Sequence, residues 1–250
     1  MNDIPIDVFI DLPPSPEPVQ AGRLWSHFRK GRESASFEYN REWLANPYRF
    51  ALEPLLPLAD GTFHTTPGQS VFGAIGDSTP DRWGRILMRR AELARARAAN
   101  ESPRTLSELD YLLRVNDEAR QGALRFSQDG GQSFCAPPGA TPIPPLVNLS
   151  RLLHAADHFC RDDENAEDLR LLLAPGSSLG GARPKASVKD KKGNLCIAKF
   201  PRHDDEYNVV AWEAVALTLA SKAGLQVPRF ELEKITDKDV LIVCCLLYTS

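Results

Sequence analysis

Residues 176–201 read Gly176-Ser-Ser-Leu-Gly-Gly-Ala-Arg-Pro-Lys185 and then Ala186-Ser-Val-Lys-Asp-Lys-Lys-Gly-Asn-Leu-Cys-Ile-Ala-Lys-Phe-Pro201, a glycine-rich loop running into two short strands. Glycines at 176, 180 and 181 let the backbone approach a ligand closely, and successive amide N–H groups in such a loop form an anion-binding concavity. The loop matches neither a phosphate-binding P-loop nor a dinucleotide fingerprint, and Gly-Gly also marks ordinary tight turns. Lys191-Lys192-Gly193-Asn194 predicts a hairpin turn between a strand ending near Lys189 and one over 195–200. In the second strand Ile197 and Lys199 share a face by period two. An apolar chain beside an ammonium suits a nucleotide, the one covering a base and the other meeting phosphate oxygens. A lone strand lysine is otherwise a solvated edge charge.

The next segment bears on that choice. Asp204 or Asp205 is placed to cap a helix over 206–223, closed by Gly224 with Pro228 beyond. Its apolar stripe includes Val209, Val210, Ala216, Leu217 and Ala220, and Glu213 falls among them, facing packing. A buried carboxylate without a partner costs roughly several kcal/mol in lost solvation, so a cation is expected beside it, and Lys199 is the candidate. A glycine-rich loop, a strand lysine and a helix glutamate, in that order, are the parts with which protein kinases hold ATP.

Upstream, residues 4–12 carry Ile6, Val8 and Ile10 at period two with Phe9 opposite, the pattern of a strand buried on both faces. Strands over 19–28 and 34–39 flank a Lys30-Gly31-Arg32 turn. A helix is expected from Pro80 to about Ala99, capped by Asp77 or Ser78, and a second from Thr105 to Val115. The first of these carries a run of arginines from Arg82 to Arg97, interrupted by Glu92, which reads as a solvated face. Gly130-Gly131, Pro137-Pro138 and Pro144-Pro145 concentrate helix and strand breakers in a linker, after which helices are expected over 149–160 and 168–173. Trp25, Trp43 and Trp83 read as core anchors. His154 and His158 stand four apart on one helix face, but the glutamate and later ligand of a metalloprotease are missing, so no metal site is expected.

Composition fits a folded protein: 42% of the 250 residues are hydrophobic and 25% charged. Thirty Lys+Arg against 33 Asp+Glu leave a net charge of -3, which supplies no broad attraction to nucleic acid or anionic membranes. Cys135, Cys160, Cys196, Cys244 and Cys245 lack the spacing of a zinc site or disulfide framework and are expected to be free thiols. With no apolar run near the roughly 20 residues of a spanning helix and no leader-like start, a cytoplasmic protein is expected.

The run Ser178-Leu-Gly-Gly-Ala-Arg-Pro-Lys185, the Ala198-Lys199-Phe200-Pro201 strand end, and Glu213 followed by Ala223-Gly224-Leu225-Gln226-Val227-Pro228 are similar to the kinase core of HipA-like toxins. Leu44 to Leu58 and Gly76-Asp-Ser-Thr-Pro-Asp-Arg-Trp-Gly-Arg85 resemble that family's N-terminal subdomain, so the likeness extends to about Val243. It implies a serine/threonine kinase of a type II toxin–antitoxin pair, using ATP and Mg²⁺. A HipB-like DNA-binding antitoxin is the implied partner, with DNA met only through it, and an aminoacyl-tRNA synthetase is one implied substrate class. On matching positions Gly180, Gly181, Ala182, Arg183, Pro184 and Lys185 would contact ATP phosphates, Lys199 would bind ATP, and Glu213 would hold Lys199. Ser178 matches the loop serine that the family autophosphorylates.

The resulting expectation is an α+β chain: a sheet-and-helix subdomain over 1–126, a linker over 127–146, the nucleotide-binding lobe of a kinase-like fold over 147–243, and an aberrant tail over 244–250. Family members continue past such a strand into a Phe-Asp-containing hinge, a catalytic aspartate and metal-binding Asn and Asp, whereas here Cys244-Cys-Leu-Leu-Tyr-Thr-Ser250 follows. The resemblance therefore supplies no catalytic residue and no metal ligand within the chain, and implies an N-terminal fragment, truncated or frame-shifted after Val243 and inactive alone. The alternative is a non-catalytic antitoxin-binding module or decoy.

Overall fold

The computed structural model describes residues 5–13, 15–29, 31–135, 143–176 and 181–244. The chain is α+β, with two antiparallel sheets, and divides into two compact units, 1–80 with 105–138 and 81–104 with 139–250.

The first unit is built on β1 (Ile6–Ile10), β2 (Val19–Arg29), β3 (Arg32–Tyr39), β4 (Thr62–His64) and β5 (Leu124–Ser127), in the order β4-β3-β2-β1-β5. β1 runs between β2 and β5, and all five of its residues are buried, as its two-faced apolar pattern predicts. Ile6, Val8 and Ile10 join Leu24, Phe37 and Phe126 in the core, while Asp7 accepts 2.7 Å hydrogen bonds from Gln20 and Arg23. Three short helices complete the unit: α1 (Arg41–Ala45), α2 (Gly73–Gly76) and, later in the chain, α4 (Glu108–Leu113). Ser107 and Asp110 cap α4 reciprocally, which starts it three residues later than the apolar periodicity suggests. Trp43 is 3% exposed, but Trp25 is only half-buried, on the strand residue opposite Ser36, and is not the core anchor expected of it.

The 17-residue helix α3 (Arg82–Ala98) belongs to the second unit. The sequence boundary at 126 puts it in the first. Its buried face decides the matter, because Trp83 and Leu87 pack with α5 (Leu149–Cys160) and α6 (Ala166–Gly176) through Leu152, Phe159 and Leu172. Asp81 caps it, whereas Asp77 and Ser78 follow the end of α2. Arg90 bridges Glu164 and Asp162, and Arg95 bridges Glu92 and Glu101, so part of the arginine run is held in ion pairs.

The second sheet has the order β6-β7-β9-β8, from β6 (Lys185–Lys189), β7 (Leu195–Lys199), β8 (Arg229–Ile235) and β9 (Lys238–Cys244). Side chains alternate across it. Ala186, Val188, Cys196, Ala198, Val240 and Ile242 face the core shared with α3, α5 and α6, while Leu241 packs with Val210 and Ala214 of α7 (Val209–Lys222) on the other face. The linker expected over 127–146 is drawn into structure at both ends: Cys135 N donates to Phe126 O, and Lys189 N donates to Pro144 O.

Two expectations are corrected here. Cys196 and Cys244 are disulfide-bonded, because the β7–β9 register sets them directly opposite across 48 residues of sequence, a pairing no local spacing reveals. Cys244 is thus the last residue of β9 rather than tail; Cys135 and Cys160 are free, with thiols pushed up to about 11 by burial, and Cys245 lies outside the described residues. No helix among the described residues is long and apolar enough to cross a membrane.

Candidate functional site

β6 and β7 form a tight antiparallel pair whose first residue, Lys185, lies opposite the last, Lys199. The turn between them closes on Asp190, which accepts from Lys192 N, Asn194 N and Asn194 Nδ2, and these bonds hold its carboxyl well below the usual range. Two lysines directly opposite on paired strands repel, so the register is destabilising unless anions stand nearby.

α7 supplies one. Its start is set by Asn208, whose side chain accepts from Ala211 N, not by Asp204 or Asp205, so the helix begins at Val209 rather than Glu206. Asp205 is engaged elsewhere, accepting from Arg183 at 2.5 and 2.6 Å and from Arg202 N at 2.8 Å. From the second turn of α7, Glu213 accepts a hydrogen bond from Lys199 Nζ. The pair is less buried than the apolar stripe suggests, with side chains 30% and 39% exposed. Of the predicted stripe, Val210 is buried and Leu217 packs beside it, whereas Ala216 is exposed. Trp212 and Leu219 on the outer face are also exposed. Gly224, at φ +82°, ends the helix as expected of a C-terminal glycine.

Gly181, Ala182, Arg183, Pro184, Lys185, Lys199 and Glu213 line one cavity of about 210 Å³, together with Phe200, Val209 and Val210. Seven of the residues singled out from sequence therefore converge; Gly180 and Ser178 lie outside the described residues. Phe200 N donates to Pro184 O, tying the loop to the end of β7. Lys185 is half-buried and its ammonium is disfavoured, first by burial and then by Lys199, with Asp81 and Glu213 opposing. The volume lies below the ~300–1,000 Å³ of typical small-molecule sites, so the enclosed part suits a phosphate group rather than a whole nucleotide.

Sequence reasoning missed Asp81 and Asp205 as members of this site. In the sequence Asp205 reads, with Asp204, as a possible helix cap, and Asp81 is about 100 residues away in the chain, with only its place before Arg82-Trp83 as a signal.

Residues 177–244 match the family model of the HipA-like C-terminal domain, a segment that runs from the loop through β9. Over that segment the chain is similar to that domain. Among solved structures, the chain is similar to HipA of Shewanella oneidensis MR-1, from its toxin–antitoxin complex with HipB and operator DNA. That match has 16% identity and a TM-score of 0.48, covers 96% of this chain, and spans 50% of the HipA chain. No curated protein matches. The HipA-like segment contains each predicted site residue from Ser178 to Glu213, and its β6–β7–α7 arrangement holds the lysine and the glutamate in contact.

Proposed function

We propose that this HipA-like chain is the nucleotide-binding part of a serine/threonine protein kinase, with 181–222 acting as the phosphate-holding wall of a kinase-like N-terminal lobe. The Lys199–Glu213 contact beneath the Gly181–Lys185 loop carries the reading. A strand lysine that must meet phosphate oxygens needs an anion to fix its ammonium in the empty state, and Glu213 supports that role. The residues present fit a polyphosphate: two ammonium groups and the Arg183 guanidinium line one cavity.

They do not fit Mg²⁺ in the same way. Among the described residues the one grouping with metal-ligand geometry is Asp190 with Cys196 and Cys244, whose sulfurs are bonded to each other, and Mg²⁺ takes oxygen ligands. Groups that orient an attacking hydroxyl and place the metal belong, by the family likeness, beyond Val243. The described residues are accordingly proposed to bind ATP. A HipB-like antitoxin as partner, and a protein substrate of the synthetase class, rest on that likeness as well.

The test is calorimetric titration of ATP into the chain and into Lys199→Ala. Measurable binding that disappears in the variant is expected; equal affinity in both sinks the assignment.

A further inference from the structure

The loop that lines the phosphate cavity is held from behind by the start of α3. Asp81 Oδ1 accepts from Arg82 N at 2.6 Å, capping the helix, while its Oδ2 accepts from Gly181 N. Trp83 N donates to Gly181 O at 2.9 Å, and the indole Nε1 donates to Lys185 O at 2.9 Å. Both ends of Gly181–Lys185 are thus tied to the start of α3 through Asp81 and Trp83, and the tie is rigid because Trp83 is 2% exposed and packs edge-on against Phe159.

The side-chain geometry within the loop gives this attachment a consequence. Gly181 sits at φ +73°, and a Cβ there would lie 2.8 Å from Lys185 Nζ, so the lysine folds back beneath the glycine. The groups around that ammonium are Asp81 before α3, Arg183 in the loop, Lys199 on β7 and Glu213 on α7. Arg183 is paired with Asp205 and Lys199 with Glu213; Asp81 and Glu213 both act on the Lys185 ammonium, and Asp81 is the one that does so from the α3 side.

We propose that Asp81 is a positioning residue of the nucleotide site: it fixes the Gly181 amide and, with Trp83, sets the loop so that the Lys185 ammonium is directed at the cavity. The proposal rests on the ATP reading above. Asp81 itself stays ionised, since the Gly181 and Arg82 amides hold its carboxyl below the usual range. Were the carboxylate instead a stand-in for phosphate on the Gly181 amide, its removal would tighten nucleotide binding. The positioning role requires the opposite sign.

Two measurements on the chain and on Asp81→Asn separate the possibilities, with Asp81→Ser, which keeps a helix cap, as a second variant. Amide hydrogen exchange without nucleotide reads the clamp: Gly181 is expected to lose protection in both variants while the amides of β7 and β9 keep theirs. ATP titration from pH 7 to 10 reads the role: affinity should fall about tenfold at pH 7, and its alkaline decline should move to lower pH as Lys185 loses one of the negative charges beside it. A merely structural role would leave the pH profile in place. Unchanged Gly181 protection, or unchanged or tighter ATP binding, overturns the proposal. Absence of ATP binding by the parent chain would instead remove the nucleotide reading, with the exchange data still reporting whether the clamp exists.

Discussion

Glu213→Gln tests whether the acid of α7 works as a holder of Lys199 or only as a surface charge. The substitution keeps the shape of the side chain and removes its charge from a pair whose members are 30% and 39% exposed. At that exposure solvent screens the attraction, so folding stability should change by no more than about 1 kcal/mol. For a chain of this size that is a melting shift of less than about 4 °C. Nucleotide binding should respond more strongly. Exchanging the charged acceptor of Lys199 for a neutral amide oxygen costs roughly 1–2 kcal/mol of positioning, or about a 5- to 30-fold weaker Kd for ATP. The assay is calorimetric titration beside a thermal melt of the same preparation. Simple electrostatics makes the contrary forecast, because removing a negative charge near phosphate should tighten binding. Tighter or unchanged ATP affinity would therefore refute the positioning role, and a large melting drop with unchanged affinity would make the pair structural.

Arg120 is 3% exposed and donates to the carbonyls of Ser78, Leu112 and Val115, with its guanidinium over Phe126. Arg120→Met should destabilise the first unit by about 3–5 kcal/mol in urea unfolding, because it strands those carbonyls; a loss under about 1 kcal/mol would contradict this. Asp129 is held down to about 2 by hydrogen bonds from Ser133 and Ser127. Its folded value lies below its unfolded one, so the stability it contributes is present above about pH 4 and is lost as pH falls toward 2. Stability curves of the chain and of Asp129→Asn should converge across that window, and parallel curves would show that this carboxylate is not linked to folding.

Local chemistry made much of the fold legible. The buried alternation of β1, the hairpin at Lys191–Asn194, the helix over 149–160 and the glycine stop at Gly224 each follow from residues within a few positions of one another. So does the convergence of Lys199 and Glu213, since a strand and the helix that follows it pack as neighbours. Helix starts were less legible. Asp205 and Asn208 are both competent caps, and which of them serves depends on Arg183 claiming Asp205.

What the sequence alone determined is the order of parts in the second unit: a glycine-rich loop, a strand lysine and a helix glutamate, with the register that keeps Ile197 and Lys199 on one face. Only the tertiary structure decided which unit owns α3, that Cys196 meets Cys244, and that Asp81 reaches Gly181. The physical reason is range. Periodicity, caps and turns are set by torsions and hydrogen bonds over a few residues, whereas these contacts join residues 48 to 100 apart and exist only once packing has chosen the neighbours.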